Sequence, residues 1–405
     1  MTKLRLTIFS TTIIIVGLVG WLLFQFAKGY RVNDKLKLIP NGLLVIKSDP
    51  DGAQIFINGE LKTATNSTIP LPPGTYDITL KKEGFLNWDK RLDIDAEIVT
   101  EYTAHLFKLA PSLSATTFNG AIDPLPSNDM TKIAYVVPNK PNEGDLNKEF
   151  AGLWVMEIVD LPLGFSRDPR RVTDGDLTEA TFVWSEDDRE ILLTTKTGRY
   201  LLDTGKFTPQ NQLTNVLGDV NEIELKWKKE KELKLNSQIK SLPDEMKDVI
   251  GRKARAIVFS PDEDMVLYTA SASATLSDDL IKPVPGASTQ KQDRDIKDNH
   301  TYIYDIKEDR NFLVDSNSSD LIVDNFLPSN AARRLTWFPT SRHLLLAEKD
   351  KITVMDYDST NKKEVYKGSF LAPNAFPTLS TGRILILTNL GAEDTLPNIY
   401  SLTIK

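Results

Sequence analysis

From residue 6 to residue 27 the chain reads LTIFSTTIIIVGLVGWLLFQFA, an apolar run without a charged side chain. At 1.5 Å per helical residue it reaches roughly 30 Å, the thickness of a bilayer's hydrocarbon core. Lys3 and Arg5 precede it, Lys28 and Arg31 follow it, and Trp21 and Tyr30 suit the two interfaces. A buried helix of a soluble domain and a cleavable signal peptide compete with this reading. The run exceeds the ~7–15 residues of a signal peptide's apolar core, and no Ala-x-Ala-like site follows it. The pattern therefore predicts a tail and retained transmembrane signal anchor over residues 1–28, in contact with the lipid bilayer through residues 6–27, then a linker over 29–40. Orientation rests on two opposed signals. Lys28, Arg31, Lys35 and Lys37 outnumber the basic residues before the span and favour an inward C-terminus, whereas a short N-tail ahead of a long domain favours its export. We expect the C-terminal regions to be extracytoplasmic, in a single-pass protein of the cytoplasmic membrane.

Beyond the linker the period changes from helical to alternating. Short period-2 runs at 44–47, 54–57, 76–81, 91–95 and 100–106 predict strands. Turn chemistry separates them: Pro50-Asp51-Gly52, Asn58-Gly59, Pro72-Pro73-Gly74 and Glu83-Gly84. Asn58-Gly59 predicts a type I′ hairpin, because both central residues must accept positive φ. Pro73-Gly74 predicts a type II turn. Tyr76, Ile78 and Leu80 on one face predict the core of a sandwich or small barrel.

These residues resemble the PEGA domain. The resemblance runs through Gly42-Leu43-Leu44-Val45, Ser48-Asp49-Pro50-Asp51-Gly52-Ala53, Ile55-Phe56-Ile57-Asn58-Gly59, Leu71-Pro72-Pro73-Gly74-Thr75-Tyr76 and Lys82-Glu83-Gly84-Phe85 followed by Trp88. Asp51 stands where the family's signature has Glu. The resemblance implies a small β-sandwich over 41–110, of a kind found mostly in prokaryotic envelope and surface proteins, with no catalytic residues to carry over. Asp49-x-Asp51-Gly52 looks like the start of a calcium loop, but no bidentate Glu follows at the required offset, so we read a turn. Phe85 and Trp88 form either an exposed sugar-stacking pair or part of the sandwich core, and the core is the commoner use of such aromatics.

From about residue 119 one pattern recurs: an apolar strand ending in an aromatic, a polar turn, then a second apolar strand. Trp184-Ser185-Glu186-Asp187, Phe259-Ser260-Pro261-Asp262 and Trp337-Phe338-Pro339-Thr340 mark the clearest copies. A weaker copy is read at Leu225-Lys226-Trp227-Lys228, and degenerate ones at 127–136 and 375–388. Third strands are read at 198–202, 301–304, 352–355 and 398–402. Trp184 and Trp227 lie 43 residues apart, close to the ~40–50 residues of a propeller blade. The pattern predicts a β-propeller of about six blades over 111–405, with residues 111–118 supplying the strand that closes the ring; unrelated sandwiches are the alternative. Phe259-Ser260-Pro261-Asp262 is similar to the repeat of TolB-like, WD-repeat-like propellers, a resemblance that bears on architecture rather than on a ligand. The fold class is therefore mainly β: transmembrane helix, PEGA-like sandwich, propeller.

Two insertions interrupt the repeat. Residues 228–253 read as a charge-rich amphipathic helix around Leu235, Ile239, Leu242 and Met246, broken at Pro243. We expect it to pack on the propeller rim, with partner docking as the alternative. Residues 275–299 read as a long mobile loop whose Asp293-Arg294-Asp295 is a solvated charge run.

Composition narrows the chemistry. The 405 residues include 49 Lys+Arg, 56 Asp+Glu and no Cys, giving a net charge of −7. That balance argues against nucleic acid as a partner. Disulfides, thiolate metal sites and cysteine nucleophiles are excluded. Three histidines (His105, His300 and His343) leave little for a histidine relay or metal site. Ser260 with Asp262 reads as turn chemistry rather than a nucleophile and base, and no G-x-S-x-G elbow is present. No catalytic, cofactor-binding or metal-binding residue is assigned, and no cofactor is expected. The sequence points to a non-enzymatic, membrane-anchored envelope protein that binds an envelope protein or cell-wall glycan. The alternatives are a polysaccharide-active enzyme with carboxylates at the propeller channel, and a scaffold on the cytoplasmic face.

Overall fold

A computed structural model describes residues 2–27, 30–32, 38–139, 149–158, 168–323, 332–379 and 382–405. Lys28, Lys35 and Lys37, on which the orientation signal rests, lie outside them. The chain divides into two compact units: Met1–Leu106 with Pro283–Gln290, and Phe107–Lys282 with Lys291–Lys405.

The first unit opens with helix α1 (Thr2–Ala27). Nearly all its described side chains, from residue 7 to residue 26, are exposed, as an apolar helix is when no protein packs around it. Where the sequence predicts only a linker, β1 (Tyr30–Val32) and β2 (Leu38–Pro40) pair antiparallel. Tyr30 Oη donates to Glu97 Oε1 at 2.7 Å, tying this pair to the sandwich. The sandwich strands are β3 (Gly42–Asp49), β4 (Gln54–Ile57), β5 (Glu60–Ala64), β6 (Ser67–Leu71), β7 (Gly74–Lys81), β8 (Trp88–Ile94) and β9 (Val99–His105). They form sheets β6-β3-β9 and β5-β4-β7-β8. Leu44, Ile46 and Leu71 of one sheet meet Ile55, Ile57, Ile78, Leu80, Trp88 and Leu92 of the other, the inward halves of period-2 strands.

The Asn58-Gly59 turn joins β4 to β5 with φ of +49° and +83°, as a type I′ hairpin requires. Pro72-Pro73 is different. It joins β6 to β7, which lie in separate sheets, and Gly74 has φ +155°, so this connection is a crossover and not the expected type II turn. Trp88 is buried and Phe85 packs against the core. The core role thus takes both aromatics. At the calcium-like segment Lys82 Nζ donates to the Asp51 carbonyl at 2.8 Å, holding a turn.

Residues 275–299, expected as a mobile loop, are built into the structure. Pro283–Gln290 belongs to the first unit. The Asp93 N–H donates to Thr289 Oγ1 and Gln290 Nε2 donates to the Arg91 carbonyl, meeting backbone groups of the edge strand β8. Gly286 has φ +79° and lies so close to β9 that a Cβ would come within 3.0 Å of the Val99 carbonyl, which restricts this position to glycine.

The second unit is a series of antiparallel sheets. Strand β10 (Ser112–Ala115) comes first. The first sheet holds β11 (Ile122–Pro126), β12 (Lys132–Val137), β13 (Gly152–Glu157) and β14 (Arg170–Asp174); the second holds β15 (Thr181–Trp184), β16 (Glu190–Thr195) and β17 (Gly198–Asp203). Helices α2 (Val220–Ile239) and α3 (Asp244–Arg252) follow. The third sheet is formed by β18 (Ala254–Phe259), β19 (Met265–Ala270), β22 (Thr301–Asp305) and β23 (Arg310–Asp315), with the short pair β20 (Ala274–Thr275) and β21 (Asp295–Ile296) between. The fourth runs β24 (Leu321–Ile322), β25 (Arg333–Trp337), β26 (His343–Glu348), β27 (Lys351–Asp356) and β28 (Lys363–Lys367). The fifth takes β29 (Ala375–Pro377), β30 (Arg383–Thr388) and β31 (Asn398–Thr403), and completes itself with β10. Ser112–Ala115 pairs antiparallel with β31, so the strand expected to close the ring does so.

Successive sheets pack face to face. One core joins the first and second sheets, another the first and fifth, a third the third and fourth. The Arg334 guanidinium of β25 lies over the Phe376 ring of β29 at 5.2 Å, joining the fourth sheet to the fifth. The faces left over belong to the second and third sheets, and helices cover both. Val220 and Trp227 of α2 pack on Leu192 of the second sheet, while Met246, Val249 and Ile250 of α3 pack on Val266, Tyr268 and Tyr302 of the third. The expected strand unit at Trp227 is therefore corrected to helix. Val220, Ile223 and Trp227 recur at helical spacing and cover a sheet instead of extending one. Among the described residues the array holds five sheets of three to five strands, with a helical pair where a sixth blade was expected.

Candidate functional site

The recurring Ser-x-Asp turn is structural in each copy. Ser127, Ser185 and Ser260 donate through Oγ to Asp129, Asp187 and Asp262, each at 2.6 Å. Each Oγ accepts the N–H five residues on, from Lys132, Glu190 and Met265, each at 3.0 Å. The hydroxyl both donates and accepts in closing the hairpin, the turn role that the sequence predicts. The hydrogen bond from Ser185 holds the Asp187 carboxyl below the usual carboxylate range. The aromatic that precedes the turn reaches sideways: Trp184 Nε1 donates to the Leu125 carbonyl at 3.1 Å and Trp337 Nε1 to the Val258 carbonyl at 3.3 Å. These two bonds join neighbouring sheets.

The Asp293-Arg294-Asp295 segment is also structural, and the expectation of a solvated charge run is corrected. Arg294 is 12% exposed and pairs with Asp309, 5% exposed, at 2.9 Å. It also donates to the carbonyls of Ser277 and Asp309. Asp309 accepts from Tyr304 Oη and from the Leu280 N–H. No group of three or more His, Cys, Asp or Glu side chains that could hold a metal occurs among the described residues.

An open groove of about 700 Å3 lies in the second unit, beside β14. Asn139, Arg171, Asp174, Asp176, Gln210 and Asn211 supply its polar wall; Ala151, Gly175 and Pro209 complete the lining. It forms because β14 ends at Asp174, the chain turns at Gly175, and a 3₁₀ turn at Gln210–Gln212 returns alongside. The Gln210 N–H donates to Asp174 Oδ1, and the Thr208 N–H to the Val172 carbonyl at 2.8 Å. Arg171 braces the opposite rim through the carbonyls of Glu149 and Ala151. Its guanidinium lies over the exposed Phe207 ring at 5.8 Å, and burial lowers its pKa. Asp176 Oδ1 accepts from Thr178 Oγ1 at 2.6 Å. Sequence reasoning singled out none of these residues. The only local signal is the Asp174-Gly175-Asp176 turn, and the other half of the groove arrives from more than thirty residues away.

With the geometry in place, comparison with known proteins identifies the sandwich. Residues 41–109 match the PEGA domain. No curated protein matches the chain. Among solved structures, the chain is similar to a putative TolB from Agrobacterium tumefaciens (11% identity, 71% of this chain and 74% of that one, TM-score 0.22). It is also similar to an oligogalacturonate lyase from Vibrio parahaemolyticus (10% identity, 92% and 96%, TM-score 0.22). TolB from Acinetobacter baumannii is a third (12% identity, 81% and 59%, TM-score 0.19). The reading of the second unit as a propeller-like array rests on the pairing and packing described above.

Proposed function

We propose that the chain is a non-enzymatic protein of the cytoplasmic membrane, anchored by α1, that presents its PEGA sandwich and its propeller outside the cell membrane to bind an envelope protein or a cell-wall glycan. The observation that carries the reading is the order of parts: an apolar helix with exposed side chains, then a PEGA sandwich, then an array of sheets whose recurring polar residues are committed to turns. A glycoside hydrolase usually works with a pair of carboxylates. Of the strands that open the five sheets, only β11 carries one, Asp123. The full chain, purified in detergent and incubated with isolated envelope and wall fractions, should sediment with one of them saturably. Absence of binding to every fraction, or turnover of a wall polysaccharide lost on Asp123→Asn, would overturn the proposal.

A further inference from the structure

The groove beside β14 narrows what the propeller binds. Its walls offer carboxylates, primary amides and carbonyl-anchored guanidinium, and its only apolar side chains are Ala151 and Pro209. No pocket for an apolar anchor side chain is present in that lining, so it lacks what usually fixes a peptide in a groove. Addition of a peptide as an extra strand is blocked as well. At Val172 the outer edge of β14 already receives the Thr208 N–H. Charge excludes another class. Both terminal nitrogens of Arg171 are held by the carbonyls of Glu149 and Ala151, while Asp174 and Asp176 stand on the same groove. Two carboxylates beside a committed guanidinium disfavour a phosphate or a polyuronate.

What remains is a neutral ligand rich in hydroxyls. Asp, Asn and Gln side chains are planar and present two polar atoms each, matching the neighbouring hydroxyls of a sugar ring. Two polar atoms in the groove wall, Asn139 Oδ1 and Arg171 Nε, are buried without a hydrogen-bond partner. Both atoms are sealed from solvent, so the groups that meet a ligand are the accessible amides and carboxylates of the lining. We propose that this groove is a binding site for a neutral saccharide chain, held by Asp174, Asp176, Gln210 and Asn211. The inference rests on the reading of the chain as a binding protein and names its ligand class.

The test is titration calorimetry on the full chain in detergent micelles. The probes are the neutral tetramer of N-acetylglucosamine and the anionic tetramer of galacturonic acid. The neutral tetramer should bind saturably and the anionic one at least tenfold more weakly. Gln210→Ala with Asn211→Ala should weaken the neutral probe at least tenfold while the melting temperature stays unchanged. Asn211→Trp, which fills the groove from an exposed position, should do the same. Unchanged binding in both variants, equal binding of the two probes, or no saturation up to about 10 mM would overturn the assignment. If the chain still sediments with an envelope fraction when the groove variants have lost nothing, the groove is wrong and the broader reading stands. If saccharide binds in the groove of a chain found on the cytoplasmic face, the broader reading fails and the groove survives.

Discussion

Replacing Asn398 with Ala should loosen the closure of the propeller at a magnitude the structure sets. Asn398 Oδ1 accepts from Thr117 Oγ1 and from the Gly120 N–H, each at 3.0 Å. Thr117 Oγ1 in turn accepts the Ile399 N–H at 2.9 Å. These bonds hold the beginning of the second unit to its last strand, separated by some 280 residues of chain. The substitution removes two acceptor contacts and leaves the hydroxyl of buried Thr117 and the Gly120 N–H without this acceptor. At about 1 kcal/mol per hydrogen bond, with an added penalty for an unsatisfied buried group, the loss is about 2–3 kcal/mol. For a unit of this size each kcal/mol moves the midpoint by about 2–4 °C, so the second unit's transition should fall by about 4–12 °C. Circular dichroism melting of the full chain in detergent measures it. Thr117→Val and the double variant complete a cycle, which should show coupling of at least about 0.5 kcal/mol. A shift under about 2 °C, or strict additivity, would refute the argument that these bonds close the array.

Three further outcomes follow from the packing. Arg294→Met leaves Asp309 buried without its cation and should cost about 3–5 kcal/mol in urea unfolding; a loss under about 1 kcal/mol would show the pair does not anchor residues 275–299. Burial raises the Asp305 carboxyl to about 6, above its ~3.9 in the unfolded chain. The folded form therefore holds this proton more tightly, and the stability it contributes is full below about pH 4 and lost as pH rises through about 6. Asp305→Asn keeps the acceptor for the N–H groups of Lys307 and Glu308. It should be more stable than the parent above pH 7 by on the order of 1–3 kcal/mol and equal to it at pH 4, and equal stability at both values would contradict the cause given. Trp227→Ala removes the side chain that α2 sets against Leu192 and should destabilise the second unit by about 3–5 kcal/mol, measured by the same melts; a surface-like effect under about 0.5 kcal/mol would mean α2 does not cover the second sheet.

The parts of the fold that were legible in the sequence are those whose cause is local. Asn58-Gly59 announces its hairpin because few residues take positive φ twice in succession. The apolar run of α1 and the alternation of β3, β7 and β8 report directly on what surrounds them. The Ser-x-Asp turns were readable because the hydroxyl closes a five-residue loop within its own hairpin. Trp227 was misread because an aromatic flanked by lysines fits an eroded strand as well as a helix, and only the uncovered face of the second sheet decides between them. Arg294 was misread for a related reason. A charged triplet looks solvated until Asp309, fifteen residues on, arrives to pair with it. Gly286 and Thr289 gave no signal, since their partners in β8 and β9 lie nearly two hundred residues earlier in the chain. The groove was invisible for the same cause: Asp174 and Gln210 meet only because Thr208 pairs with Val172.

The central claim of the proposed function is that α1 holds the sandwich and propeller outside the membrane. Protease treatment of intact cells or spheroplasts carrying a C-terminally tagged full chain, with lysed cells as control, tests it most directly. The account predicts that the tag is digested without lysis. Protection until lysis would mean that Lys28, Arg31, Lys35 and Lys37 set an inward C-terminus, and the protein would be a scaffold of the cytoplasmic face.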